Sequence, residues 1–121
     1  MSEQASTSKG IAKRYATALF DLADEMDTIS IVEENVNTLK QSINESTDLN
    51  SLISSPIYTR DQQKDAIIAV ATKLGLSGIM TNTLSLMAEK RRLFVVPTFL
   101  AVLNDLIAAS KNEITAEVVS A

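Results

Sequence analysis

Few side chains in this sequence could do chemistry. Two close acidic pairs, Asp21/Asp24 and Glu33/Glu34, have the residue types for a carboxylate site. Arg91-Arg92 could bind an acidic partner, or could simply cap the negative end of a helix. The chain has no His and no Cys. That removes the commonest general base, the commonest metal ligand and the thiol nucleophile. The three glycines stand at 10, 75 and 78, too scattered for a phosphate-cradling loop. Both acidic pairs fall on the polar side of a helical pattern, where a solvated carboxylate is ordinary. The expectation is therefore no catalytic residue, no metal and no cofactor. Such a chain is expected to be a binding part.

Composition supports a folded helical domain. At 121 residues the chain suits one domain, and 45% hydrophobic residues argue against global disorder. Only Tyr15, Phe20, Tyr58, Phe94 and Phe99 are aromatic, so aliphatic residues and Met must build the core. Three Gly and two Pro are too few for the many turns of a small all-β domain. The net charge of −4 argues against a sequence-independent nucleic-acid binder. The opening MSEQASTSKG is polar and has no signal-peptide core. The longest mainly apolar run, Leu93 to Leu103, is broken by Pro97 and Thr98 and is too short to cross a bilayer, so no direct membrane insertion is expected.

The apolar spacing predicts six helices. Residues 1–8 read as a flexible tail, with Ser6 or Ser8 as a possible N-cap. The first helix spans Lys9 to Glu25, and the second Thr28 to Glu45 with Ile29, Val32, Val36, Leu39 and Ile43 as a narrow seam. Asp48 can cap a short third helix, LNSLIS, that Pro56 stops. Thr59-x-x-Gln62 is a capping box opening a fourth helix, which Gly75 closes after Leu74. Ser77 starts a fifth, ending in the run Glu89 to Arg92. Pro97 suits the first turn of a sixth, whose buried stripe is Leu100, Leu103, Leu106 and Ile107. The bundle occupies 9–112. After Asn112 the weakly alternating, β-branched EITAEVVSA predicts a linker or first strand over 113–121.

The first and fifth helices are apolar over more of their circumference than one core requires. In RYATALFDLA and its flanks the apolar arc covers roughly 200°, about twice the width needed to pack one side. Ala12, Ala16, Leu19 and Ala23 suit the core, while Tyr15, Ala18 and Leu22 lie to one side. On the fifth helix Met80, Leu84 and Met87 suit the core, leaving Ile79, Asn82 and Leu86 as a wall with a polar lip at Glu89. Spacing alone fits two arrangements. Either both helices are central and covered on all sides, or they flank a furrow suited to a partner's amphipathic helix.

Three stretches, taken in order, resemble one family. They are RYATALFDLA (14–23), LNSLISSPIYTRDQQKDAI (49–67) and TLSLMAEKRRLFVVPTFLAVLNDL (83–106). They resemble the N-terminal domain of the ATP synthase δ subunit family, the bacterial counterpart of the mitochondrial oligomycin-sensitivity-conferring protein. The tail ITAEVVSA is similar to the family's link into a second domain. The resemblance implies an all-α six-helix bundle whose C-terminal segment starts a missing second domain. It implies a non-catalytic stator part of an F-type ATP synthase, resisting torque during proton-driven ATP synthesis. The implied site is a groove between the first and fifth helices that grips the N-terminal helix of an α subunit atop the α3β3 head. By motif position that groove takes Tyr15, Ala18, Leu19, Leu22, Ile79, Asn82, Leu86, Glu89 and Arg92. Contact with subunit b belongs to the missing domain, and the implied location is peripheral, on the cytoplasmic face of the bacterial inner membrane. The alternative class is a regulatory helical adaptor that binds another amphipathic helix.

Overall fold

The computed structural model describes the backbone of residues 2–55 and 57–120, and the side chains of 8–55 and 57–111. Six helices follow one another: α1 (Ser2–Glu25), α2 (Ile29–Glu45), α3 (Thr47–Ser54), α4 (Arg60–Leu74), α5 (Gly78–Glu89) and α6 (Val96–Ser120). A single 3-10 turn, Leu93–Val95, leads into α6. No strand occurs among the described residues. The fold is the predicted all-α, six-helix bundle.

Local signals explain most helix ends. Thr59 Oγ1 accepts from the Gln62 N–H at 3.1 Å while Gln62 Oε1 accepts from the Thr59 N–H at 2.9 Å, so the capping box is complete. At the end of α4, Gly75 adopts φ 72° and its N–H reaches Thr72 O, while Leu76 N–H reaches Ala71 O. This left-handed closure needs φ > 0, which glycine adopts without steric cost. The same closure ends α1 at Asp27 (φ 59°) and α5 at Arg91 (φ 60°), with no glycine at either place.

Several terminal expectations are corrected. α1 begins at Ser2, so Ser6 and Ser8 lie inside the helix rather than capping it. Once packing of residues 12–23 nucleates the helix, each added residue costs little. The cap of α3 is Ser46, not Asp48. Ser46 is extended and its Oγ accepts from Leu49 N–H at 3.2 Å, while Asp48 sits in the first turn, where the helix dipole favours an anion. Pro56 lies outside the described residues, and α3 ends at Ser54 before an extended Ser55. Residues 113–120 continue α6 rather than forming a strand. β-branched alternation expresses its strand preference against a paired neighbour, and the described residues contain no strand to pair with.

The core gathers residues from every helix. Ala12, Ala16, Leu19 and Ala23 of α1 are buried against a set that includes Leu39, Ile67, Met80, Met87, Leu93, Phe99, Leu103 and Ile107. α1 packs most extensively on α6, and three alanines on its buried face allow the axes to approach closely. Phe99, outside the expected α6 stripe, is fully enclosed, which stabilises the fold by roughly 1.5–3 kcal/mol. The continuous segment Leu93–Lys111 is long and apolar enough to cross a membrane, with mean hydropathy 1.8, which exceeds the shorter run read from the sequence. Its apolar face is nevertheless occupied by the bundle: Leu93, Val95, Val96, Phe99, Leu100, Leu103 and Ile107 are buried.

Three cross-helix contacts set the directions of the elements. Lys111 Nζ meets the Glu33 carboxylate at 2.6 Å near the start of α2, while Lys40, Ile43 and Asn44 line a shallow cavity with Pro97, Leu100 and Ala101. α2 and α6 therefore run antiparallel. Asn35 Oδ1 accepts from Ser77 N–H at 2.8 Å, so α5 starts near the level of the Lys111–Glu33 pair. At its other end Arg92 Nη1 donates to Tyr15 Oη at 3.4 Å. α5 thus runs back along α1, from the C-terminal half of α1 toward Tyr15.

Candidate partner-binding groove

Burial separates the two arcs of α1. Ala12, Ala16 and Ala23 are wholly enclosed, and Ile11, Tyr15, Ala18 and Leu22 form a stripe of half-buried and exposed positions beside them. Ala18 is exposed, Tyr15 is half-buried, and Leu22 keeps 42% of its surface in solvent. Leu19 is only 2% exposed and belongs to the core. Its inclusion among the groove residues is corrected: at 100° per residue it stands about 60° from Leu22, on the side facing α6 and the interior.

α5 divides in the same way. Met80, Leu84, Met87 and Ala88 are fully buried. Asn82 is exposed, Ile79 is half-buried and Leu86 is 45% exposed. Thr83 lies half-buried on the same side, its hydroxyl donating to Ile79 O at 2.8 Å. That internal bond removes a free polar group from an otherwise apolar wall. Glu89 points to the other flank, where its carboxylate lies 3.7 Å from Lys64 Nζ of α4. Leu86 and Ile79 stand about 60–80° round α5 from Glu89, and α5 packs on α1 as well as on α4. Leu22 of α1 and Leu86 of α5 stay exposed, with half-buried Tyr15 and Ile79 on the same two helices, so the space between α1 and α5 is the candidate furrow.

One end of the furrow is built by the left-handed turn at Arg91. Arg92 N–H reaches back to Met87 O at 2.7 Å and Arg91 N–H to Ala88 O at 3.0 Å, which aims Arg92 at Tyr15. The Arg91 side chain goes the other way. Its Nη1 donates to Tyr58 O at 2.8 Å and to Gln63 Oε1 at 3.1 Å, and buried Gln63 donates to Leu52 O at 3.2 Å. These bonds offset the cost of a non-glycine residue in this conformation, about 1–2 kcal/mol. The two arginines thus have separate tasks: Arg91 ties α5 to α3 and α4, and Arg92 borders the furrow. No sequence signal announces the turn, because its usual glycine is missing.

The carboxylate pairs converge on no site. Asp21, Asp24 and Glu34 are exposed, and Glu33 pairs with Lys111. Among the described residues no three metal-ligating side chains cluster. What the furrow offers is apolar area with a hydroxyl and a guanidinium at one end, suited to a helix that presents an apolar stripe.

Comparison with known proteins identifies the family of the chain. A family profile described as "ATP synthase delta (OSCP) subunit" matches residues 11–121. The chain belongs to this family. Among curated relatives, ATP synthase subunit delta of Roseobacter denitrificans is 54% identical over 121 residues. Those of Rhodobacter capsulatus and Dinoroseobacter shibae are 53% and 51% identical over the same length. Each alignment takes in all of this chain and 65% of the relative. The family assignment agrees with the resemblance carried by residues 14–23, 49–67 and 83–106.

Proposed function

We propose that this chain is the α-subunit-gripping part of a δ-type stator subunit in the peripheral stalk of a bacterial F-type ATP synthase. Its furrow takes the N-terminal helix of one α subunit, seating the bundle atop the α3β3 head. Its role is non-catalytic: it holds the head against rotation so that proton flow can drive ATP synthesis. A further domain of the subunit joins subunit b. The location is peripheral, on the cytoplasmic face of the inner membrane.

The observation that carries this reading is the pair of exposed leucines, Leu22 on α1 and Leu86 on α5, two helices that pack together. Each leaves nearly half its surface in water in the free chain. A docked apolar stripe would bury both, and exposed Ala18 leaves room for the partner backbone to come close. Stator duty also calls for stiffness behind the groove. The tight α1–α6 packing and the Arg91–Gln63–Leu52 bridge supply it.

The test is a titration of the chain with a peptide from the N-terminus of the cognate α subunit, following helix formation by circular dichroism. Saturable helix gain is expected. No binding at high micromolar peptide overturns the reading. Leu86→Asp should abolish most binding by placing an unpaired charge against an apolar stripe, with the bundle still folded because Leu86 is 45% exposed. Unfolding of that variant would place Leu86 in the core and remove it from the groove.

A further inference from the structure

The furrow is apolar along its floor but charged differently at its two ends. On the outer flank of α1, Glu25, Arg14 and Asp21 follow beyond Ala18 at about 80°, 100° and 120° round from Tyr15. Arg14 is thus at the Tyr15 end, and Asp21 and Glu25 are at the other; all three are exposed. The second arginine at the Tyr15 end is Arg92, which donates one N–H to Tyr15 Oη and keeps the rest of its guanidinium fork for a carboxylate. Glu89, nearby, is paired with Lys64, so it does not cancel this positive end. At the Glu25 end α5 brings no charge at all, since Glu89 is the single ionisable residue between Gly78 and Glu89. Arg14 and Glu25 are about 16 Å apart along the helix. That is about twice the Debye length at physiological ionic strength, so the two ends act on a ligand separately.

We infer that the groove reads the order of charges along its partner. It takes an amphipathic helix with carboxylates over Arg92 and Arg14 and cations over Asp21 and Glu25, and so fixes the direction in which the helix lies. The inference rests on the helix-gripping role proposed above. The hydrophobic term scales with buried area and is itself non-directional, so charge order adds a directional preference that area alone does not supply. Whole side-chain charges set it here, since each exceeds the half charge carried by a helix terminus.

Two synthetic peptides of identical composition and identical apolar stripe test this. One carries Glu in its first turns and Lys in its last; the other has the order reversed. Each bears a nitroxide at its N-terminus, and broadening of backbone amide resonances in the isotopically labelled chain reports where that end lies. The acid-first peptide should broaden amides near Tyr15 and Arg92, and the base-first peptide those near Met26 and Ile79. Arg92→Gln should weaken the acid-first peptide roughly threefold at low salt, the effect of one exposed pair. Broadening of the same end by both peptides, or of both ends by each, overturns the inference and leaves the helix-gripping role standing. Binding of the α-subunit peptide with binding of neither synthetic peptide also overturns it. If no peptide binds, the helix-gripping role falls first.

Discussion

Leu19 and Leu22 lie one helical turn apart on α1, are the same residue type, and should behave oppositely when shortened. Leu19 is 2% exposed and flanked by Ala16 and Ala23, whose small side chains cannot move to fill a hole. Leu→Ala at such a site costs about 2–5 kcal/mol, from lost transfer energy and the cavity together. For a chain of this length each kcal/mol lowers Tm by roughly 3–5 °C, so a cost of about 3 kcal/mol moves Tm down by about 9–15 °C. Leu22 already has 42% of its surface in water. Docking a helix would cover that remainder. At about 1.5–3 kcal/mol for a whole leucine side chain this is roughly 0.6–1.3 kcal/mol. Leu22→Ala should therefore weaken the α-subunit peptide about three- to eightfold, with Tm changed by only a few degrees. Thermal unfolding by circular dichroism and calorimetric titration on both variants give the two readings side by side. A Leu22→Ala variant that melts as early as Leu19→Ala, or a Leu19→Ala variant that keeps its Tm and loses binding, would reverse the assignment of core and groove on this helix.

Two further outcomes follow from single residues. Ser77 occupies the N-cap of α5, yet its Oγ makes no cap bond and is buried without a hydrogen-bond partner among the described residues. Ser77→Ala should leave urea-unfolding stability within about 0.5 kcal/mol of the parent or raise it, where a working serine cap would cost about 1 kcal/mol; a larger loss would mean the hydroxyl is satisfied in solution. Arg91 has φ 60° and two side-chain bonds, so Arg91→Ala loses the bonds and keeps the unfavourable backbone, while Arg91→Gly loses the bonds and relieves it. The glycine variant should be more stable than the alanine variant by about 1 kcal/mol and less stable than the parent; equal midpoints for alanine and glycine would show that the turn carries no strain.

The sequence by itself determined the helical class, the order of the six helices and most of their inward faces, because these depend on short-range periodicity. The seam of α2 from Val32 to Ile43, the Thr59/Gln62 box and the closing glycine at 75 are all local chemistry, and each is present where its residues predict. The surplus apolar arc of α1 was equally visible, and so was the split of α5 between Met80, Leu84 and Met87 inside and Leu86 outside. Periodicity could not say whether the surplus faced a neighbour or water. That depended on where α5 lies against α1, which the long-range contacts Ser77–Asn35 and Arg92–Tyr15 record across dozens of residues of chain. Leu19 shows the boundary most clearly. It stands between two apolar arcs at an angle that suits either, and only the placement of α6 beside α1 put it inside. Arg91 shows another kind of boundary. Its left-handed turn is stabilised by Tyr58 and Gln63, partners far off in sequence, so no local rule could have found it. The charge order along the groove needed both levels: the residues are plain in the sequence, and the antiparallel course of α5 sorted them into two opposite ends.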